Sequence, residues 1–466
     1  MKKTITLGAA TILTVGLSVG GLYIHHVSAV APGNNVLNTP SATSSWSNGQ
    51  SHLRSPQSIS GDGRYVVFES SASNLVSSDT NGLKDVFVHD NQANTTALVS
   101  QSSSGTQANA YSQSASISYS GQYVVFESNA SNLVSGVTGT TNTHLYMRDL
   151  INATTSIIDT SSSGAISSTY ANYGRVSADG RFVVFLSTAS NLVTGFSTGN
   201  KIQVYLKDMD TGAIKPISAT SSGVSGNNDS GIASISCDGN IVAFGSLATN
   251  LASGSTGTPS GRYDLYIAKI GWSGNEISNA TGYSTYGISN GVQVSCNGNA
   301  VTFTSTSTDI VSPATNTGYS NVYEYNRLDG KMTLVSVNSA GVQQNSGGGI
   351  GLSSSISDDG RFVTFSTNAA NMDASYTDAN TGPYNDVYVR DVKKSTTELV
   401  SITAAGKRAG YIGSGWSVSI SPDGSYVVSE YSTPGSLQTV RELITGDHLP
   451  GSYDSQEDIY RMETGY

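Results

Sequence analysis

Charge is scarce in this chain. Lysine, arginine, aspartate and glutamate together make up 12% of its 466 residues. The basic ones stand singly, apart from short pairs such as Lys393-Lys394 and Lys407-Arg408. With no basic stripe and a formal charge of −10, nucleic acid is excluded as a partner, because phosphate binding needs clustered cations. Histidine is equally sparse. Two of the six lie near the N-terminus, and His52, His89, His144 and His448 show no metal-ligand spacing. No apolar run long enough to cross a membrane follows the first thirty or so residues. What the chain has instead is 51 glycines, 25 tyrosines and abundant Ser, Thr and Asn. These are strand and turn formers, so an all-β fold is expected.

The N-terminus sets the expected compartment. Lys2 and Lys3 precede an apolar run from Ile5 to Ile24, and Val27-Ser28-Ala29 fits small-residue cleavage. Residues 1–29 therefore read as an export signal, with an uncleaved N-terminal anchor as the alternative. Residues 30–466 read as one exported unit, periplasmic or secreted. Its partner is an envelope protein or glycan of unidentified kind.

Internal repetition organises the rest. A glycine closing a Ser-x-Asp-Gly-type turn recurs at Gly63, Gly121, Gly180, Gly239, Gly298, Gly360 and Gly424, at spacings of 58, 59, 59, 59, 62 and 64 residues. Each turn joins two apolar strands, as in Ser58-Ile59-Ser60 before Gly63 and Tyr65-Val66-Val67-Phe68 after it. Two more strands follow in each unit, such as Asp85-Val86-Phe87-Val88 and Leu98-Val99-Ser100. Four short strands at a period near sixty residues predict a seven-bladed β-propeller of four-stranded blades. The last unit lacks its fourth strand. Residues near 34–39, including Asn35-Val36-Leu37-Asn38, are predicted to supply it and close the ring. An Asn beside an apolar residue, as at Asn74-Leu75, is expected to cap backbone while the apolar neighbour plugs the gap between blades. The second turn position (Gly61, Tyr119, Ala178, Cys237, Cys296, Asp358, Pro422) varies freely, as an exposed corner would.

The run Asp62-Gly63-Arg64-Tyr65-Val66-Val67-Phe68-Glu69-Ser70, then Ser73-Asn74-Leu75-Val76 and Asp85-Val86-Phe87-Val88, resembles the TolB-like (WD-like) β-propeller repeat. The resemblance covers essentially the whole chain after the signal. It implies an extracytoplasmic propeller that binds partners.

Site candidates are few. Gly287-Ile288-Ser289-Asn290-Gly291 matches a nucleophile-elbow pattern formally but lacks its strand–elbow–helix context. No catalytic residue emerges, and the chain reads as a binding or scaffold module rather than an enzyme, with a polysaccharide hydrolase or lyase as the alternative. Asp79, Asn81 and Asp85, and likewise Asp378, Asn380 and Asp386, place oxygen ligands as Ca²⁺ would require, or as turn caps would. Cys237 and Cys296 share one turn slot in adjacent blades, and either bridge or remain free thiols. Tyr111, Tyr170, Tyr173, Tyr283, Tyr286, Tyr376, Tyr384 and Tyr411 fall on the loops of one face, which makes that face the expected ligand surface.

Overall fold

A computed structural model describes residues 35–36, 47–138, 141–252, 263–271, 276–280, 288–313, 315, 319–346, 354–372, 385–401, 418–432 and 457–464. The expected signal segment, residues 1–29, and the Leu37-Asn38 end of the predicted closing strand lie outside them.

The described strands form an all-β propeller of four-stranded antiparallel blades, with no helix among the described residues. Blade one consists of Ser51–His52, Tyr65–Ser70, Asp85–Asp90 and Thr95–Leu98, hydrogen-bonded in chain order. Five more blades repeat this over residues 112–157, 171–216, 230–279, 288–334 and 355–399. These six are built from strands consecutive in the chain. A further four-stranded sheet joins the two ends: Asn35–Val36 pairs with Glu457–Glu463, followed by Tyr426–Ser432 and Val418–Ile420. It touches blade one through Glu457–Glu463 and blade six through Val418–Ile420.

Blades pack because both faces of each sheet are apolar. In Tyr65–Ser70, Val66 and Phe68 face one neighbour while Val67 faces the other, and all three are buried. Each of the six consecutive blades carries one stacked aromatic pair across its second and third strands, from Phe68–Phe87 (5.8 Å) to Phe365–Tyr388 (6.0 Å). Burying each such ring contributes about 2 kcal/mol. The sheet made from the chain ends has Ser429 at this slot.

The turn glycines have two reasons to be glycine. Each lies at positive φ, from 69° at Gly63 to 81° at Gly180. A Cβ there would also meet the first residue of the preceding blade's second strand: Tyr65 at Gly121, Tyr123 at Gly180, Phe182 at Gly239, Phe362 at Gly424. The series returns on itself, since Tyr426 of the last unit lies against Gly63 of the first.

The second turn position is not the freely varying exposed corner expected of it. The seven turns converge at one end of the central axis, where backbone hydrogen bonds run from turn to turn. Gly61 N–H donates to the Tyr119 carbonyl, Ser120 to Ala178, Ala178 to Cys237, Cys237 to Cys296, Asn297 to Asp358, and Asp358 to Pro422. Pro422 has no N–H, so it cannot donate onward to Gly61.

Recurrent asparagines staple each loop to the connection entering the same blade, not to their own strand end. Asn132 Oδ1 accepts from Asn109 N–H while its amide donates to the Gln107 carbonyl, and Asn191, Asn250 and Asn371 repeat the pattern. Leu75, Leu133, Leu192 and Leu251 are buried beside them.

Candidate functional site

On a repeat scaffold, a site is found where the repeat is broken. Two residues before each turn serine the chain carries Ser58, Ser116, Arg175, Ser234, Gln293, Ser355 and Ser419. Several of these serines stitch neighbouring blades around the axis; Ser116 Oγ, for example, donates to the Gly174 carbonyl at 2.9 Å. The segment Pro56-Gln57 crosses here. Ser355 and Ser419 both donate to the Pro56 carbonyl, and Gln57 Nε2 reaches the Val176 carbonyl at 2.8 Å. Beneath lies a cavity of about 70 Å³, room for a few waters. Besides Gln293, Arg175 is the charged departure from this serine tier. It is buried, and its guanidinium is held down to about 10 by that burial.

A second departure lies beside it. The second strands of blades one and two read Tyr-Val-Val-Phe-Glu-Ser, which puts Glu69 and Glu127 between blades; Leu186, Gly245, Thr304 and Ser366 take that position in blades three to six. Both glutamates are buried, and desolvation pushes the Glu127 carboxyl up. Their oxygens are held by bulges in the next blade's inner strand, where Ser114 and Tyr173 adopt positive φ of 54°. Ser114 N–H donates to Glu69 Oε2 at 2.9 Å and Tyr173 N–H to Glu127 Oε1 at 2.7 Å. Lys84 Nζ (3.0 Å) and Arg54 Nε (3.4 Å) meet Glu69 Oε1, and Gln113 reaches Glu127. Arg175 is electrostatically coupled to Glu127. Arg175 Nε and Asn172 Oδ1, both buried, have no hydrogen-bond partner among the described residues. The first three blades thus carry an arc of three cations and two carboxylates at the loop-side end of the axis. An exposed ring, Tyr173, sits on one of its bulges.

The sequence did not single out this arc, yet a signal was present. A glutamate in a strand whose two faces are both buried has to be paired, and one arginine among five serines breaks the repeat.

Of the tyrosines expected on this face, Tyr111 and Tyr173 are exposed and Tyr170 is half-buried. Tyr283, Tyr286, Tyr376, Tyr384 and Tyr411 lie outside the described residues. The Asp79–Asp85 loop brings its residues together through amide donors. Asn81 and Gln107 both donate to Asp85 Oδ2 at 2.9 Å, Ser100 Oγ donates to Oδ1, and Gln107 also reaches Asp79. Asp378 and Asn380 lie outside the described residues; Asp386 accepts from Ser401. His144 replaces the usual Asp of this slot and meets Asp159 at 2.7 Å, but Ser167 donates to Asp159 and not to the imidazole, so no nucleophile is activated. Ser289 lies within the strand Ile288–Val294, not at an elbow. Cys237 and Cys296 are joined by a disulfide, with Cα atoms 4.5 Å apart.

Solved structures with this architecture can now be compared. One is an oligogalacturonate lyase in complex with manganese, at TM-score 0.52 and 10% identity, covering 93% of this chain and 96% of that one. Another is oligogalacturonate lyase from Vibrio parahaemolyticus, at TM-score 0.52 and 12% identity, covering 93% and 97%. The fold is a β-propeller. TolB from Acinetobacter baumannii is also similar, at TM-score 0.39 and 13% identity, over 86% of this chain and 81% of that one. No family model and no curated protein matches the sequence. The likeness corrects the reading of this chain as a non-enzymatic module: over nearly the whole of both chains, the same fold carries a lyase in those proteins.

Manganese does not fit the described residues. It is a hard cation that takes carboxylate, water and imidazole ligands. The one described group of three potential ligands is Cys237, Cys296 and Asp358, whose sulfurs are tied in the disulfide. No step is derived through that metal.

No described helix is long and apolar enough to cross a membrane, and the disulfide fits an oxidising compartment.

Proposed function

We propose that this protein is an extracytoplasmic propeller that acts on an acidic polysaccharide, cleaving uronate chains by β-elimination. The observation carrying this reading is the charged arc of blades one to three, set in a fold shared with oligogalacturonate lyases. Elimination from a uronate needs cations on the carboxylate, a group to take the proton beside it, and an aromatic platform for the ring. Lys84 and Arg54 at the rim would hold carboxylates, and Arg175 would supply buried charge through its unpartnered Nε. Tyr173 would stack on a sugar. Glu127, whose carboxyl is raised by burial, would accept the proton from the carbon beside the carboxylate as the C–O bond to the next carbon breaks and the double bond forms, and the departing oxygen would take its proton from water. The reading includes secretion or periplasmic residence, and a seventh blade made from the two chain ends.

The test is incubation of the protein, from residue 30 onward, with oligogalacturonate and related uronate polymers. New ultraviolet absorbance from the unsaturated product is expected, and E127Q and Y173A should each lower it at least tenfold. Absence of both product and binding across uronate polymers would overturn the proposal.

A second reading, capture of a glycan or envelope protein without cleavage, rests on the exposed Tyr111 and Tyr173. Saturable binding with no product would select it.

A further inference from the structure

The opposite end of the axis carries a different chemistry. Three successive blades each place one metal-binding group in the same turn slot: Cys237, Cys296 and Asp358. One ligand atom from each lies within 4.8 Å of the others, and all three residues are half-buried. The backbone bonds from Cys237 to Cys296 and from Asn297 to Asp358, each in the turn ring, hold these slots at fixed spacing whatever the sulfurs do. The Tyr119 ring crosses the mouth from blade two, lying against Gly61. Its hydroxyl lies near the Asp358 carboxylate. Around this mouth stand the exposed turn carboxylates Asp62, Asp179, Asp238, Asp359 and Asp423. Such a ring focuses a field that draws cations to the axis.

We propose that this mouth is a redox-gated site for a thiophilic divalent cation of the Zn²⁺ class. In the disulfide form the sulfurs are not ligands and the site is shut. A dithiol or phosphine reductant gives up two electrons and breaks the S–S bond, and the sulfurs take up two protons. Zn²⁺ then displaces those two protons and binds two thiolates and the Asp358 carboxylate. The Tyr119 hydroxyl or a water completes a tetrahedron. The turn ring keeps the reduced thiols together, so the chelate needs no rearrangement of blades.

Equilibrium dialysis of the full chain against Zn²⁺, with and without prior reduction, tests this. One equivalent is expected on the reduced protein and none on the oxidised one, and Co²⁺ in place of Zn²⁺ should show thiolate-to-metal charge-transfer absorption. D358N should weaken binding at least tenfold, and C237S should abolish it. If C237S fails to fold, D358N and Y119F carry the comparison, with circular dichroism confirming their fold. Failure of the reduced protein to take up metal, or uptake indifferent to D358N, would overturn the proposal. Neither result bears on polysaccharide cleavage at the other end of the axis.

Discussion

Single positions carry much of the specificity. Gly180 combines φ of 81° with a Cβ direction that runs into the Tyr123 ring. Backbone strain and overpacking therefore add in G180A, and a loss of about 2–4 kcal/mol is expected in urea unfolding. Gly212, also at positive φ but with open space around its Cβ direction, should lose only the strain part on the same change. Glu324 is a different kind of residue. It replaces the Val, Met, Leu or Ile of other blades, and burial raises its carboxyl from the ordinary 4.5 to about 7. A raised acid binds its proton in the folded state and releases it on unfolding, so between about pH 4.5 and 7 stability falls as pH rises. E324Q should flatten that slope and raise stability at pH 8 by about 1–3 kcal/mol, read from unfolding curves at both ends of the range. The turn serines and glycines were legible in the sequence because their job is local. The axial role of the slot between them was not, because convergence of seven turns on one axis is a property of the ring and not of any turn.

At the level of strands, the repeat grammar was largely readable, since alternation and turn chemistry point the same way in every unit. Strand order, the start of the third strand and the pairing of Asn35–Val36 with Arg461 and Tyr460 follow from it. The bulges at Ser114 and Tyr173 were not foreseen. They insert an unpaired residue whose N–H serves a carboxylate in the neighbouring blade, a demand that lies outside the strand itself. The sheet made from the chain ends rests on a two-residue pairing at its N-terminal strand and has serine where other blades stack aromatics. Deleting residues 30–38 should therefore lower the thermal midpoint by several degrees, while spectra at low temperature still show β structure. An unchanged midpoint would mean that this pairing adds nothing to stability.

For the whole molecule, the disulfide constrains a loop of one complete blade, 59 residues apart in sequence. Reduction is expected to cost about 2–4 kcal/mol in denaturant stability, measured on the same preparation with and without reductant. Zn²⁺ added to the reduced protein should return part of that loss through binding to the folded state alone. Function was the least legible quantity at this scale. The repeats announce the scaffold, whereas the charged arc centres on departures from repetition at Glu69, Glu127 and Arg175, spread over a hundred residues and meaningful only once the blades are adjacent.

The turn-to-turn hydrogen bonds stop at Pro422, and the strand at the other end of the chain has to wait for Glu457–Glu463 before it can pair. Synthesis delivers the polypeptide from its N-terminus, so Asn35–Val36 emerges first and finds its partner last. Six blades can assemble in the order they appear, each on the edge of the one before. The join between first and last is a long-range contact made only when the final residues arrive. Maturation of this protein therefore has a built-in last step, and a chain cut short before residue 457 leaves both edges of the assembly open to other chains.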